Sequence, residues 1–195
     1  MMKKIIIATH NKGKVKEFEQ IFKGRFEVCA LPYNGFDGEA EETGTTFYEN
    51  ALLKAKYVYE NTGELTIADD SGLCVNALNG APGIYSARYG GENASQKDKN
   101  KMLIEALADK TDRSAKFVCS LVLYGKNGVV ATGTGEVKGS ILFAEDGNGG
   151  FGYDPIFYAD ELGKSFGTAT EDEKNSVSHR ARAIQDLLKN FINNK

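Results

Sequence analysis

The 195-residue sequence has no tryptophan, three prolines, three methionines, three cysteines and two histidines. Cys29, Cys74 and Cys119 form no CxxC pair and, with His10 and His179, are too few and too scattered for a structural zinc site. Their odd number and wide spacing describe buried, reduced thiols in a cytoplasmic setting, not a disulfide framework. Nowhere does an apolar run approach the roughly 20 residues needed to span a bilayer. Ile5-Ile6-Ile7-Ala8 is too short for a signal peptide and runs straight into polar residues. An excess of positive charge is missing as well: 24 Lys and Arg face 27 Asp and Glu, for a formal net charge of -3. That balance argues against nucleic acid as a partner, yet it leaves room for local lysines around a small anion. What remains is 41% apolar and 26% charged, the make-up of an ordinary globular protein with enough chain for one well-cored domain or two small lobes.

The apolar pattern predicts an α/β chain around a mixed sheet. Lys3 to Ala8 reads as a buried strand, Thr9 to Gly13 as a polar turn, and Lys14 to Phe22 as a helix with Val15, Phe18, Ile21 and Phe22 on one face. Phe26 to Ala30 is a second strand, and residues 32–44 are a loop with an acidic run, Glu39-Ala40-Glu41-Glu42. Thr46 followed by Glu49 is a capping box, so a helix runs from there to about Glu60, burying Leu52, Ala55, Val58 and Tyr59. Leu65 to Ala68 is a short strand that delivers Asp69-Asp70-Ser71-Gly72 at its end. A long loop covers 79–91, and a helix follows over Ser95 to Ala108. Ala115 to Tyr124 and Val129 to Val137 form a hairpin. After a glycine-rich loop, Asp146 to Gly152, one last helix spans Glu173 to Asn190 with Val177, Ala181, Ile184, Leu187, Leu188 and Phe191 on its apolar face.

Four places carry chemistry. Thr9, Asn11, Lys12 and Lys14 surround the start of the first helix, where unpaired N–H groups and the helix dipole favour an anion. This is a phosphate cradle without a Walker A pattern, or else a solvated helix cap. Asp69-Asp70 is either a site for a hard divalent cation, with Glu41 or Glu42 as a third acid, or a polar strand end with one Asp capping a turn. Gly149-Gly150-Phe151-Gly152-Tyr153-Asp154 either brings Phe151 and Asp154 to a flat base or is a tight hairpin whose rings fill the core. Lys174, Ser178, His179 and Arg180 supply donors that suit a 6-keto purine, or they cap and pair on a surface.

Together these segments resemble the inosine triphosphate pyrophosphatase family. The resemblance spans almost the whole chain and rests on Thr9-His10-Asn11-Lys12-Gly13-Lys14, which fits [ST]-x-N-x-x-K. It continues through Glu41-Glu42-Thr43-Gly44, Glu49-Asn50-Ala51 with Lys54-Ala55-Lys56, and Ala68-Asp69-Asp70-Ser71-Gly72-Leu73. The runs from Gly80 to Tyr89 and Gly150 to Phe157, and Ser178-His179-Arg180, complete it. One departure is Gly167-Thr168-Ala169, where many bacterial members carry Ala-Glu-Leu or Ala-Glu-Met.

The resemblance implies a single domain over 1–195: an elongated mixed β-sheet flanked by helices, with two lobes and an active-site cleft between them. It also implies a homodimer that uses Mg²⁺ to hydrolyse XTP, ITP and dITP to the monophosphate and pyrophosphate. By motif, Thr9, His10, Asn11, Lys12, Gly13 and Lys14 hold phosphate. Glu42 and Asp70 bind the metal, and Asp70 is the catalytic proton acceptor. Ser71 contacts substrate; Phe151, Gly152, Tyr153, Asp154, Lys174, His179 and Arg180 bind substrate and read the base. Lys54 and Asp69 lend support. The nearest rival is a Maf-like pyrophosphatase for standard or modified pyrimidine nucleoside triphosphates.

Overall fold

The computed structural model describes residues 3–91 and 93–193. In chain order these form β1 (Lys3–Ile7), α1 (Lys12–Phe22), β2 (Phe26–Ala30), α2 (Phe47–Thr62), β3 (Thr66–Val75), α3 (Gln96–Ala106), β4 (Ser114–Gly125), β5 (Gly128–Ile141), β6 (Phe157–Ala159), β7 (Lys164–Ser165), α4 (Glu171–Val177) and α5 (His179–Asn193), with short 3₁₀ turns between. The seven strands make one sheet in the order β2-β1-β3-β4-β5-β6-β7. It is mixed: β1 runs parallel to β2 and β3, whereas β6 runs antiparallel to β5 and β7. The two-residue turn Lys126-Asn127 joins β4 to β5, a connection only antiparallel neighbours allow.

The chain resolves into two compact units. The first holds residues up to 70, 119–135 and from 180 onward; the second holds 71–118 and 136–179. The backbone passes between units four times: inside β3 after Asp70, inside β4 before Cys119, inside β5 after Gly135, and after His179.

In the first unit the β pleat sorts the core. Ile5, Ile7 and Ile67 pack with Phe18 and Phe22 of α1 and with Ala183, Ile184 and Leu187 of α5. Ile6, Ala8 and Ala68 pack with Ala51, Ala55 and Val58 of α2. Helices therefore cover both faces of these strands. Gly133 of β5 lets α5 approach closely, because a Cβ there would collide with the Ala183 carbonyl. In the second unit Leu73, Val75, Phe117, Val137 and Ile141 meet Leu103 and Leu107, and the rings of Phe117, Phe157 and Phe166 pack against one another.

Four expectations need correction. β3 does not end at Ala68; it continues through Asp69-Asp70 to Val75, so the acids lie mid-strand. Polar residues can stay in a strand when side-chain partners satisfy them, as they do here. The last helix is two helices. Ser178 breaks it with extended backbone (φ -63°, ψ 151°), after a capping box of Thr170 and Glu173 starts the first piece. The apolar spacing runs on across the break, which hides it. Yet Val177 packs in the second unit, and Ala183, Ile184 and Leu187 pack in the first. On α2 the buried face is Asn50, Ala51, Lys54, Ala55 and Val58; Leu52 and Tyr59 are only half-buried. Of the cysteines, all free, only Cys119 is fully buried; Cys29 and Cys74 are partly exposed.

Candidate active site

The turn between β1 and α1 is shaped by its own side chains. Asn11 caps α1, its Oδ1 accepting from the Gly13 N–H at 2.9 Å and the Lys14 N–H at 3.2 Å. Thr9 Oγ1 accepts from the Asn11 N–H at 3.2 Å. His10 Nε2 lies 2.7 Å from Asp37 Oδ1 and so ties this turn to the loop before α2. Lys12 is exposed, and Lys14 reaches inward.

Adjacent residues of a strand point to opposite faces, and the pleat parts the acid pair. Asp69 shares the face of Ile67 and meets α1 and α5: Lys14 Nζ stands 2.9 Å from its Oδ2, and Arg180 Nη2 3.0 Å from the same oxygen. Glu17 of α1 accepts from Arg180 Nη1 on the other side of the guanidinium. Burial pushes the Asp69 carboxyl up, but Lys14, Arg180 and Lys54 outweigh it and hold Asp69 well below the usual carboxylate range. Asp69 is thus an ionised anchor within a buried charge network.

Asp70 shares the face of Ala68 and meets α2. Asn50 Nδ2 donates to its Oδ2 at 3.1 Å, and Lys54 Nζ lies 3.7 Å from its Oδ1. The same ammonium donates to Glu42 Oε1 at 2.6 Å. One cation therefore stands between Glu42 and Asp70. Burial raises the Asp70 pKa, with Lys54 and Asn50 opposing it, so this carboxyl takes up a proton more readily than an ordinary Asp. Among the described residues no cluster of three or more His, Cys, Asp or Glu could hold a metal ion.

The second unit gathers the other expected residues. Asp154 Oδ2 accepts from the Phe151 N–H and from Lys174 Nζ, both at 2.7 Å, and the Lys174 ammonium lies 4.4 Å from the Phe151 ring centroid. Gly150 has φ +69°, and a Cβ there would collide with the Asp154 carboxylate, so glycine is needed on both counts. Tyr153 is buried with its hydroxyl donating to Ser86 O at 2.9 Å. His179 stacks on Phe117 at 4.9 Å. Gly152 and Ser71 are half-buried. Gly167, the departing position, admits no side chain, because a Cβ would collide with the Asp146 carbonyl, and its own carbonyl accepts from the Gly149 N–H.

Against known proteins, a model of the Ham1 family matches residues 5–190. The chain belongs to the Ham1 family. Family relatives include a dITP/XTP pyrophosphatase of Listeria monocytogenes, 47% identical over 194 residues (98% of this chain, 96% of that one). Another, from Bacillus subtilis, is 45% identical over 195 residues, covering 97% of each chain. Of solved Ham1 structures, the Staphylococcus aureus protein superposes with a TM-score of 0.86 at 43% identity, covering 98% of both chains. The Coxiella burnetii protein gives 0.85 at 38%, covering 96% of this chain and 98% of that one.

Two residues of the candidate site were not singled out as site residues in the sequence, although Asn50 stands within the Glu49-Asn50-Ala51 motif. Glu17 and Asn50 are buried polar groups wired to Arg180 and Asp70. The available signal was register: Asn50 and Lys54 lie four apart, with Ala51 and Ala55 beside them, so a polar pair shares the apolar face of α2.

Proposed function

We infer that this chain hydrolyses XTP, ITP and dITP to the nucleoside monophosphate and pyrophosphate with Mg²⁺. The observation that carries this reading is the division of labour at the acid pair, together with the Ham1 relatives named dITP/XTP pyrophosphatases. Asp69 is neutralised by Lys14 and Arg180, whereas Glu42 and Asp70 share a cation between them. Two hard carboxylates suit Mg²⁺, which takes one or two acids from protein and completes its shell with water and substrate phosphates. Glu42 and Asp70 would hold it, and it supplies charge neutralisation at the phosphates. The residues of the β1–α1 turn and Lys54 bind and orient the triphosphate. Asp70 accepts the proton as water attacks phosphorus; the new P–O bond forms as the anhydride oxygen between the α and β phosphates leaves with pyrophosphate. Phe151, Asp154, Lys174 and His179 take the base.

A cytoplasmic setting agrees with three free thiols, and no described helix is long and apolar enough to cross a membrane. The dimeric state follows the resemblance and is read directly by light scattering. The deciding experiment measures pyrophosphate release from dITP, XTP, dGTP and dTTP, with Asp70→Asn alongside. Preference for dITP and XTP, with turnover lost in Asp70→Asn, upholds the reading; preference for dTTP replaces it with the Maf-like one.

A further inference from the structure

Asn50 is wholly buried on α2, among alanines, where a neutral amide is costly unless both of its ends are bonded. Both are. Its oxygen accepts from the Gly44 N–H at 2.8 Å, and its nitrogen donates to Asp70 Oδ2 at 3.1 Å. The first bond decides the second: with the oxygen turned to a backbone donor, only the NH₂ end remains for the carboxylate. Gly44 follows Glu42 by two residues, so one amide links the loop bearing one acid to the strand bearing the other. The fit at Gly44 is close, since a Cβ there would stand 2.6 Å from Glu49 Cβ and 2.7 Å from Asn50 Oδ1.

We propose that Asn50 is a positioning residue for hydrolysis. It occupies Oδ2 of Asp70, which leaves Oδ1 turned toward Lys54, and it sets the Glu42 loop against the same carboxylate. The inference rests on the assignment of Asp70 made above. Asn50 touches neither substrate nor metal in this scheme; it acts through Asp70 and Gly44.

The test compares kcat and KM for dITP, per folded molecule, in the full-length protein and its variants, with the folded fraction taken from denaturant titration. Asn50→Asp keeps the shape and the acceptor for Gly44 but replaces the donor to Asp70 with a second carboxylate oxygen. Its kcat should fall by about 10- to 100-fold, with KM changed by less than about threefold. Asn50→Leu removes both bonds. It should lose at least as much turnover and also expose the loop to a Glu-specific protease at Glu41 and Glu42, which Asn50→Asp should not. Turnover in Asn50→Asp close to wild type, or a loss that follows only the folded fraction, overturns the proposal. Asp70→Asn separates the two ideas. If it is inactive while Asn50→Asp is normal, only the role of Asn50 fails; if it turns over normally, the Asp70 assignment fails and takes this one with it.

Discussion

Arg180 bonds one oxygen of Asp69 twice, from Nη2 at 3.0 Å and from Nε at 3.3 Å, across 111 residues of sequence. The pair is buried, with Lys14 and Glu17 completing the network. It fastens the start of α5 to β3 and commits Asp69 to that task.

Asp69→Asn should therefore cost stability first. Removing one partner of a buried ionic network leaves the other charges uncompensated, about 3 kcal/mol or more by denaturant unfolding. The pH dependence has a definite sign. Asp69 is depressed in the fold, so its contribution is complete above the unfolded carboxylate pKa of about 4 and is lost as pH falls below it. Wild type should lose its advantage over Asp69→Asn on acidification; a gap that is constant with pH contradicts the network.

Gly133→Ala tests the packing of α5 on β5. The new methyl has backbone on its far side, the Ala183 carbonyl and the Leu187 N–H, which cannot swing away like a side-chain end. A loss of about 1–3 kcal/mol is expected, read as a melting temperature lower by about 3–10 °C.

Lys54→Met should alter the acid pocket without emptying it. The ammonium between Glu42 and Asp70 disappears, so the two carboxylates repel and attract a divalent ion more strongly. Calorimetry should find Mg²⁺ binding to the substrate-free variant tighter than to wild type by about tenfold. Turnover should drop all the same, because a cation facing the triphosphate is gone. Weaker Mg²⁺ binding would mean that Lys54 organises the acids instead of competing for them.

Lys174→Met probes the other unit. Lys174 is buried between Asp154 and the Phe151 ring, and its removal leaves the Asp154 carboxylate with one less charged partner. If this cluster binds the base alike in ground and transition states, KM for dITP rises by about tenfold while kcat moves little. A fall in kcat with KM unchanged would instead assign Lys174 to the reacting phosphates.

Much of the fold was legible because its signals are local. The capping box of Thr46 with Glu49 formed as the i, i+3 spacing predicts, and β2 fell on Phe26 to Ala30. Asp69-Asp70-Ser71-Gly72 misled because polar residues before a glycine look like a turn. Buried partners from α1, α2 and α5 satisfy Asp69 and Asp70 within the strand. The single last helix misled for the converse reason, since helical spacing persists through a break that just one residue, Ser178, introduces.

By itself the sequence determined which chemistry was available: two adjacent acids, an acidic loop, lysines at a helix start, and a glycine-bounded aromatic. It set Asp69 and Asp70 together at a strand end; only the continuation of β3 to Val75 turns them to opposite faces. Which helix covers which face was decided only in three dimensions. That placement joins Asp69 to Lys14 and Arg180, and Asp70 to Asn50 and Lys54. The physical reason is that an acid's role is set by the charges and donors packed against it, and those partners come from segments that no local spacing in the chain relates.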